Sequence, residues 1–172
     1  GLCLPFALLD PEAARRGPIS VLAQSGGVSS KYMILLSETG LGANKVVSMG
    51  NKADLTEQDF LTAFAEDDQT HVIVGYMESI EAGDDFMKTA EYVAARKPIV
   101  VFKAGTTQAG KRAASSHTGS LAGADIAYGA AFRRAGIVRA ESFEAMLDYA
   151  TGFAMQVPPK GKRVAIVTNA GG

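Results

Sequence analysis

The chain is poor in the residues that announce many kinds of protein. Of its 172 residues one is cysteine, Cys3, and two are histidine. A single thiol forms no intrachain disulfide and has no second thiol with which to build a metal site, which suits a reducing cytoplasm. Seventeen Lys and Arg against eighteen Asp and Glu leave a net charge of −1, so there is no electrostatic reason to expect nucleic acid or an anionic membrane surface. No stretch approaches the about 18 to 20 continuous apolar residues of a membrane span, and the opening GLCLPFALLDPEAARR lacks the basic start of a signal peptide. Neither a Walker lysine motif nor a GxGxxG fingerprint occurs, which argues against direct nucleotide binding by these residues. These absences predict a soluble, cytoplasmic protein with no metal site of its own.

What is present is an alternation. Short β-branched runs at 19–23, 45–49, 71–77, 98–103, 136–140 and 163–168 are separated by helix-like stretches at about 27–39, 57–66, 83–96, 123–135 and 142–155. Strands joined by helical crossovers lie parallel and buried on both faces, which accounts for continuous apolar runs such as HVIVGYM. The pattern predicts an α/β, doubly wound parallel sheet of about five strands with helices on both faces. The first helix is expected to bury Val28, Met33 and Leu36. Thr56 with Asp59 three positions later marks a helix start, and Gly40 and Gly136 mark helix ends.

Residues 1–17 read as a connector, 18–157 as one domain, and VPPKGK as a short linker. VAIVTNAGG at 164–172 then repeats the character of ISVLAQSGG at 19–27, so 158–172 read as a linker and the first strand of a second, similar domain. The chain is therefore expected to be a fragment of a longer polypeptide.

The carboxyl edge of such a sheet is where ligands bind. Gln24, Ser25, Gly26 and Gly27 lie there, where the first strand passes into a helix whose open N–H groups and dipole favour an anion; the same residues also suit a tight turn that binds nothing. Glu78, in YMES, leaves the third strand on the same edge, as a functional carboxylate or a solvated loop residue. His117 sits among small and hydroxyl-bearing residues in AASSHTGSLAGAD, on the loop that follows the fourth strand. Alone it is a surface histidine; with Glu78 accepting from one ring nitrogen, the other nitrogen becomes a nucleophile beside a phosphate cradle. GNKAD at 50–54 serves binding and geometry equally well, His71 reads as structural, and Lys111 and Arg112 as a solvated face.

In order and spacing QSGG, GNKAD, YMES, SSHTGSLAG and TNAGG resemble the succinyl-CoA ligase-like, flavodoxin-like region of ADP-forming acyl-CoA synthetases, including ADP-forming acetyl-CoA synthetases. The resemblance implies that His117 is transiently phosphorylated, that Glu78 orients it, and that Gln24 to Gly27 hold the phosphoryl group. Asn169, Gly171 and Gly172 match the start of a corresponding helix in the next domain, a second anion or acyl site. It further implies a relay from acyl-CoA and phosphate through acyl phosphate and phosphohistidine to ADP. CoA, ATP or ADP and Mg would be held by a CoA-binding domain and an ATP-grasp domain of the same chain or another subunit, in an oligomer. The fragment alone would not turn over. Two other readings predict different behaviour: a synthetase-like regulatory region of a protein acetyltransferase, and a flavodoxin-like binding module without covalent chemistry.

Overall fold

Five apolar runs pair as parallel strands in one sheet. The computed structural model describes residues 14–52, 54–105, 125–157 and 159–169. Strands β1 (Arg16–Ala23), β2 (Ala43–Ser48), β3 (Val72–Met77), β4 (Ile99–Lys103) and β5 (Val138–Ala140) alternate with helices α1 (Gly26–Glu38), α2 (Glu57–Glu66), α3 (Gly83–Ala94), α4 (Asp125–Ala135) and α5 (Phe143–Met155). The strand order β2-β1-β3-β4-β5 is that of a flavodoxin-like, doubly wound sheet. Connections run to opposite sides of β1, so a crevice opens where the carboxyl ends of β1 and β3 part.

Alternation along each strand sends side chains to two cores. Leu22, Ile73, Met77, Ile99 and Val101 pack with Leu61, Phe64, Phe86, Val93 and Phe132 from α2, α3 and α4. Ile19, Val21, Val72, Val74 and Val100 pack on the other face with Tyr32, Leu36, Met146 and Ala150 from α1 and α5. Burial of this apolar surface on both faces is the main favourable term in the fold.

Helix boundaries follow local chemistry. At the start of α2 the backbone N–H of Thr56 donates to Asp59 at 2.8 Å, closing the capping box read from the sequence. Gly40 and Gly136 end α1 and α4 with φ of +80° and +76°, and the N–H groups just beyond them reach back to Leu36 and Phe132 carbonyls at 3.2 and 2.9 Å.

Three expectations need correction. Residues 163–168 form no strand; Val164, Ile166 and Val167 are exposed, and β-branched residues make a strand only against a neighbouring backbone. Strand β1 begins at Arg16, inside the stretch read as connector, because Arg16 pairs with Ala43 across a bulge. Helix α1 buries Ser29, Tyr32 and Leu36, whereas Val28 and Met33 are half-buried. Its contact stripe is set by α5: the Tyr32 ring stands edge-on to Phe143 at 5.5 Å, and its hydroxyl donates to the Met146 carbonyl at 3.1 Å. Burial, reinforced by Asp148, holds this phenol well above the ordinary tyrosine range, so it remains a neutral donor. Tyr32→Phe is expected to lower stability by about 1 kcal/mol, the net worth of one hydrogen bond, seen as a lower urea midpoint at unchanged slope.

Candidate functional site

The crevice is built around Gln24, the first residue after β1. Its side chain was expected to offer donors to an anion, and the structure assigns them elsewhere. Nε2 donates to the Glu57 carboxylate at 2.6 Å and to the Ser79 carbonyl at 2.7 Å. Oε1 accepts from the backbone N–H groups of Glu78 and Ser79 at 2.6 and 2.9 Å. With its own N–H donating to the Tyr76 carbonyl at 3.1 Å, Gln24 has no donor left for a ligand. It is a clamp that ties the exit of β1 to the turn after β3.

Ser25, Gly26 and Gly27 remain suited to an anion. Ser25 is the extended residue ahead of α1, and its side chain makes no capping bond. The first N–H to find a helical acceptor is that of Ser29, bonded to the Ser25 carbonyl at 3.0 Å, so the preceding N–H groups of the first turn have no helical acceptor among the described residues. No acidic side chain occupies that turn, and the space above Gly27 is open. The positive end of the α1 dipole therefore faces the crevice uncompensated.

Glu78 follows β3 directly. Gln24 holds its N–H, and its carbonyl accepts from the Lys103 ammonium at 2.7 Å. One carboxylate oxygen, Oε2, is buried and has no hydrogen-bond partner among the described residues. A buried acceptor left without a donor is costly.

The described residues of GNKAD have a clear geometric role. Gly50 and Lys52 both have positive φ, +57° and +53°, and the Lys52 ammonium is buried against Glu57 at 3.0 Å, with Glu81 at 3.4 Å. Glu57 thus joins the loops after β1 and β2, and through Gln24 the turn after β3. His71 is exposed at the opposite end of the sheet, where its N–H donates to the Pro18 carbonyl at 2.8 Å.

Lys103 and Glu57 were missed as parts of this edge, and Lys52 was placed on it within GNKAD without its buried pairing. For Lys103 the available signal was a charged residue closing the otherwise apolar strand PIVVFK. Its side chain is buried among β3, β4 and α4, 4.6 Å from the Tyr128 ring centroid. Burial, helped by repulsion from Arg139, brings the ammonium down to about 8 against the opposing pull of Asp125 and Glu78. A groove of about 530 Å³ lies beside it, lined by Asp125, Gly129, Arg133 and Arg139, with the Arg139 guanidinium paired to Asp125.

His117, Lys111, Arg112, Gly171 and Gly172 lie outside the described residues. Asn169 is described, exposed and outside the sheet. Among the described residues no three His, Cys, Asp or Glu side chains gather as a metal site, and no helix is long and apolar enough to cross a membrane.

Comparison with known proteins gives concordant results. The succinyl-CoA ligase like flavodoxin domain matches residues 16–153. The acetate–CoA ligase [ADP-forming] I of Archaeoglobus fulgidus is 49% identical over 97% of this chain, which spans 24% of that relative. The alpha subunit of acetate–CoA ligase [ADP-forming] I of Pyrococcus furiosus is 42% identical over 96% of the chain, or 36% of the subunit. Among solved structures, the dinucleotide forming acetyl-coenzyme A synthetase 1 of Ca. Korarchaeum cryptofilum, in complex with phosphate and ADP, superposes with a TM-score of 0.78 at 40% identity; 84% of this chain and 32% of that one are covered. The chain spans roughly a quarter to a third of the length of these relatives.

Proposed function

Because the chain belongs to the succinyl-CoA ligase-like flavodoxin-domain family, we propose that it is the phosphoryl-carrying part of an ADP-forming acyl-CoA synthetase, with His117 as the carrier. The observation that carries this reading is the buried Glu78 Oε2 without a partner among the described residues, on the same edge as the open first turn of α1. In this reading Oε2 is the acceptor for the N–H of one imidazole nitrogen of His117. That bond fixes the tautomer and leaves the lone pair of the other nitrogen free to attack.

The relay balances. Phosphate attacks the thioester carbonyl of acyl-CoA, the C–S bond breaks, and acyl phosphate and CoA form. The free imidazole nitrogen attacks the acyl phosphate phosphorus; the bond from phosphorus to the acyl oxygen breaks, and the carboxylate leaves. The terminal oxygen of the ADP β-phosphate then takes the phosphoryl group, giving ATP and neutral histidine. Ser25, Gly26 and Gly27 face the phosphoryl oxygens with the N-terminal dipole of α1, which stabilises their charge without reorganisation. Asn169, Gly171 and Gly172 serve the matching anion or acyl site, while CoA and the Mg-bound nucleotide are held by CoA-binding and ATP-grasp domains of the complete assembly.

Turnover by the complete polypeptide tests the reading. With a panel of acyl-CoA thioesters, ATP is expected to form only when thioester, ADP and phosphate are all present, with acid-labile phosphate on the protein. A complete chain that consumes no thioester and takes up no such phosphate overturns it.

A further inference from the structure

Resting on that reading, we propose that Lys103 is a positioning residue for the phosphoryl relay: by holding the Glu78 carbonyl, its ammonium fixes the backbone from which the Glu78 carboxylate reaches the histidine.

The geometry carries this. Lys103 stands opposite Met77 in the parallel register of β3 and β4, so its backbone is one residue short of Glu78 on the neighbouring strand. Its ammonium donates to the Glu78 and Ala104 carbonyls, both at 2.7 Å. Gln24 meanwhile accepts the N–H groups of Glu78 and Ser79. The peptide units on both sides of Glu78 are thus held, the first by Gln24 and the second by Gln24 and Lys103 together. With both units fixed, the φ and ψ of Glu78 are fixed, and so is the direction of its Cα–Cβ bond, the base from which the carboxylate reaches out.

A buried cation is a costly way to tie down a carbonyl. Lys103 is 3% exposed and forms no carboxylate ion pair among the described residues. An apolar residue would fill the end of β4 without the desolvation cost of the charge. What an apolar residue cannot supply is a charge-assisted donor that reaches two exit segments at once.

The same placement makes the grip sensitive to pH. Among the described residues, the groups that face Lys103 are Glu78 at the exit of β3, Arg139 from β5, and Asp125 and Tyr128 from α4. Burial and Arg139 bring its pKa to about 8, so the ammonium is present below that pH and is lost as pH rises through it. Loss of the charge weakens the bond to the Glu78 carbonyl.

The test uses the complete polypeptide, labelled ATP, and the initial rate of acid-labile phosphate uptake from about pH 6 to about pH 10, a range that spans the ordinary lysine value. Wild type is expected to slow above about pH 8. K103R, charged throughout, is expected to lose that limb. K103M is expected to be about 10 to 100-fold slower at every pH and to lack the limb, with KM for ATP unchanged, since misplaced catalytic groups cost rate on that scale. Persistence of the limb in K103R, which keeps the cation and guards against a folding defect in K103M, overturns the proposal. So does a K103M protein that labels like wild type while the unmodified chain labels normally, and this leaves the relay reading intact. A wild-type chain that takes up no acid-labile phosphate removes the relay and this proposal together.

Discussion

Full-length protein carrying His117→Ala takes up no acid-labile phosphate and makes no ATP from acyl-CoA, and Glu78→Gln slows phosphate uptake by about 10³-fold. The first outcome follows because alanine has no nitrogen to form the phosphoramidate bond. The second follows from what Glu78 offers. Its Oε2 is a buried acceptor, and its backbone is held from both sides, so the acceptor is presented from a fixed base. An amide at the same place carries no charge to stabilise a ring N–H and presents a donor in one of its two orientations, so the wrong tautomer competes; neutralising the orienting carboxylate of a catalytic histidine elsewhere costs about 10⁴-fold. Stability is expected to move the other way. With no partner for Oε2 among the described residues, the amide relieves the desolvation cost of a buried charge and forgoes at most the histidine N–H, so Glu78→Gln leaves the melting temperature unchanged or raises it. Rapid-quench labelling beside thermal melting separates the two effects. Glu78→Gln protein that labels at the wild-type rate sinks the orienting role, and His117→Ala protein that still labels sinks the carrier.

The largest expected loss of stability belongs to Lys52→Met. Lys52 and Glu57 form a buried pair at 3.0 Å, their side chains 6% and 1% exposed. Removing the cation leaves the Glu57 charge in the interior with the Gln24 amide as its remaining partner, and breaking a buried pair from one side costs about 3–5 kcal/mol. For a domain of this size that corresponds to a melting temperature lower by roughly 6–20 °C. Lys52→Met combined with Glu57→Gln is expected to recover most of the loss, because no uncompensated charge remains and a glutamine oxygen can still accept from Gln24. A Lys52→Met protein that melts with the wild type would show that the pair contributes nothing net. The loss should also appear as slower phosphate uptake, since Glu57 is linked through Gln24 to the turn that carries Glu78.

Much of the fold was legible residue by residue. The run at 71–77 became β3 at Val72–Met77, and 57–66 became α2 over the same residues, because apolar periodicity and the Thr56 and Asp59 cap act within a few positions of one another. Where reading failed, the deciding partner was distant. Val28 and Met33 looked as apolar as the rest of α1, yet Tyr32 took the buried position because its hydroxyl reaches Met146, 114 residues away. The run at 163–168 has strand composition and no neighbouring strand among the described residues, and composition alone does not form a ladder.

The candidate site divides along the same line. By itself the sequence determined the alternation of strands and helices, hence a parallel sheet, and it placed Ser25, Gly26, Gly27 and Glu78 on its carboxyl edge. Those inferences need only side-chain period and the direction of parallel strands. Tertiary structure alone decided that Gln24 clamps the turn after β3, that Lys52 is buried in an ion pair, and that Lys103 holds the peptide beside Glu78. Each of the two clamps on Glu78 joins groups remote in the chain, 54 residues apart for Gln24 and 25 for Lys103. Local pattern carries no information about which distant polar atom will meet which; that is settled only when the strands are side by side and every buried donor must find an acceptor.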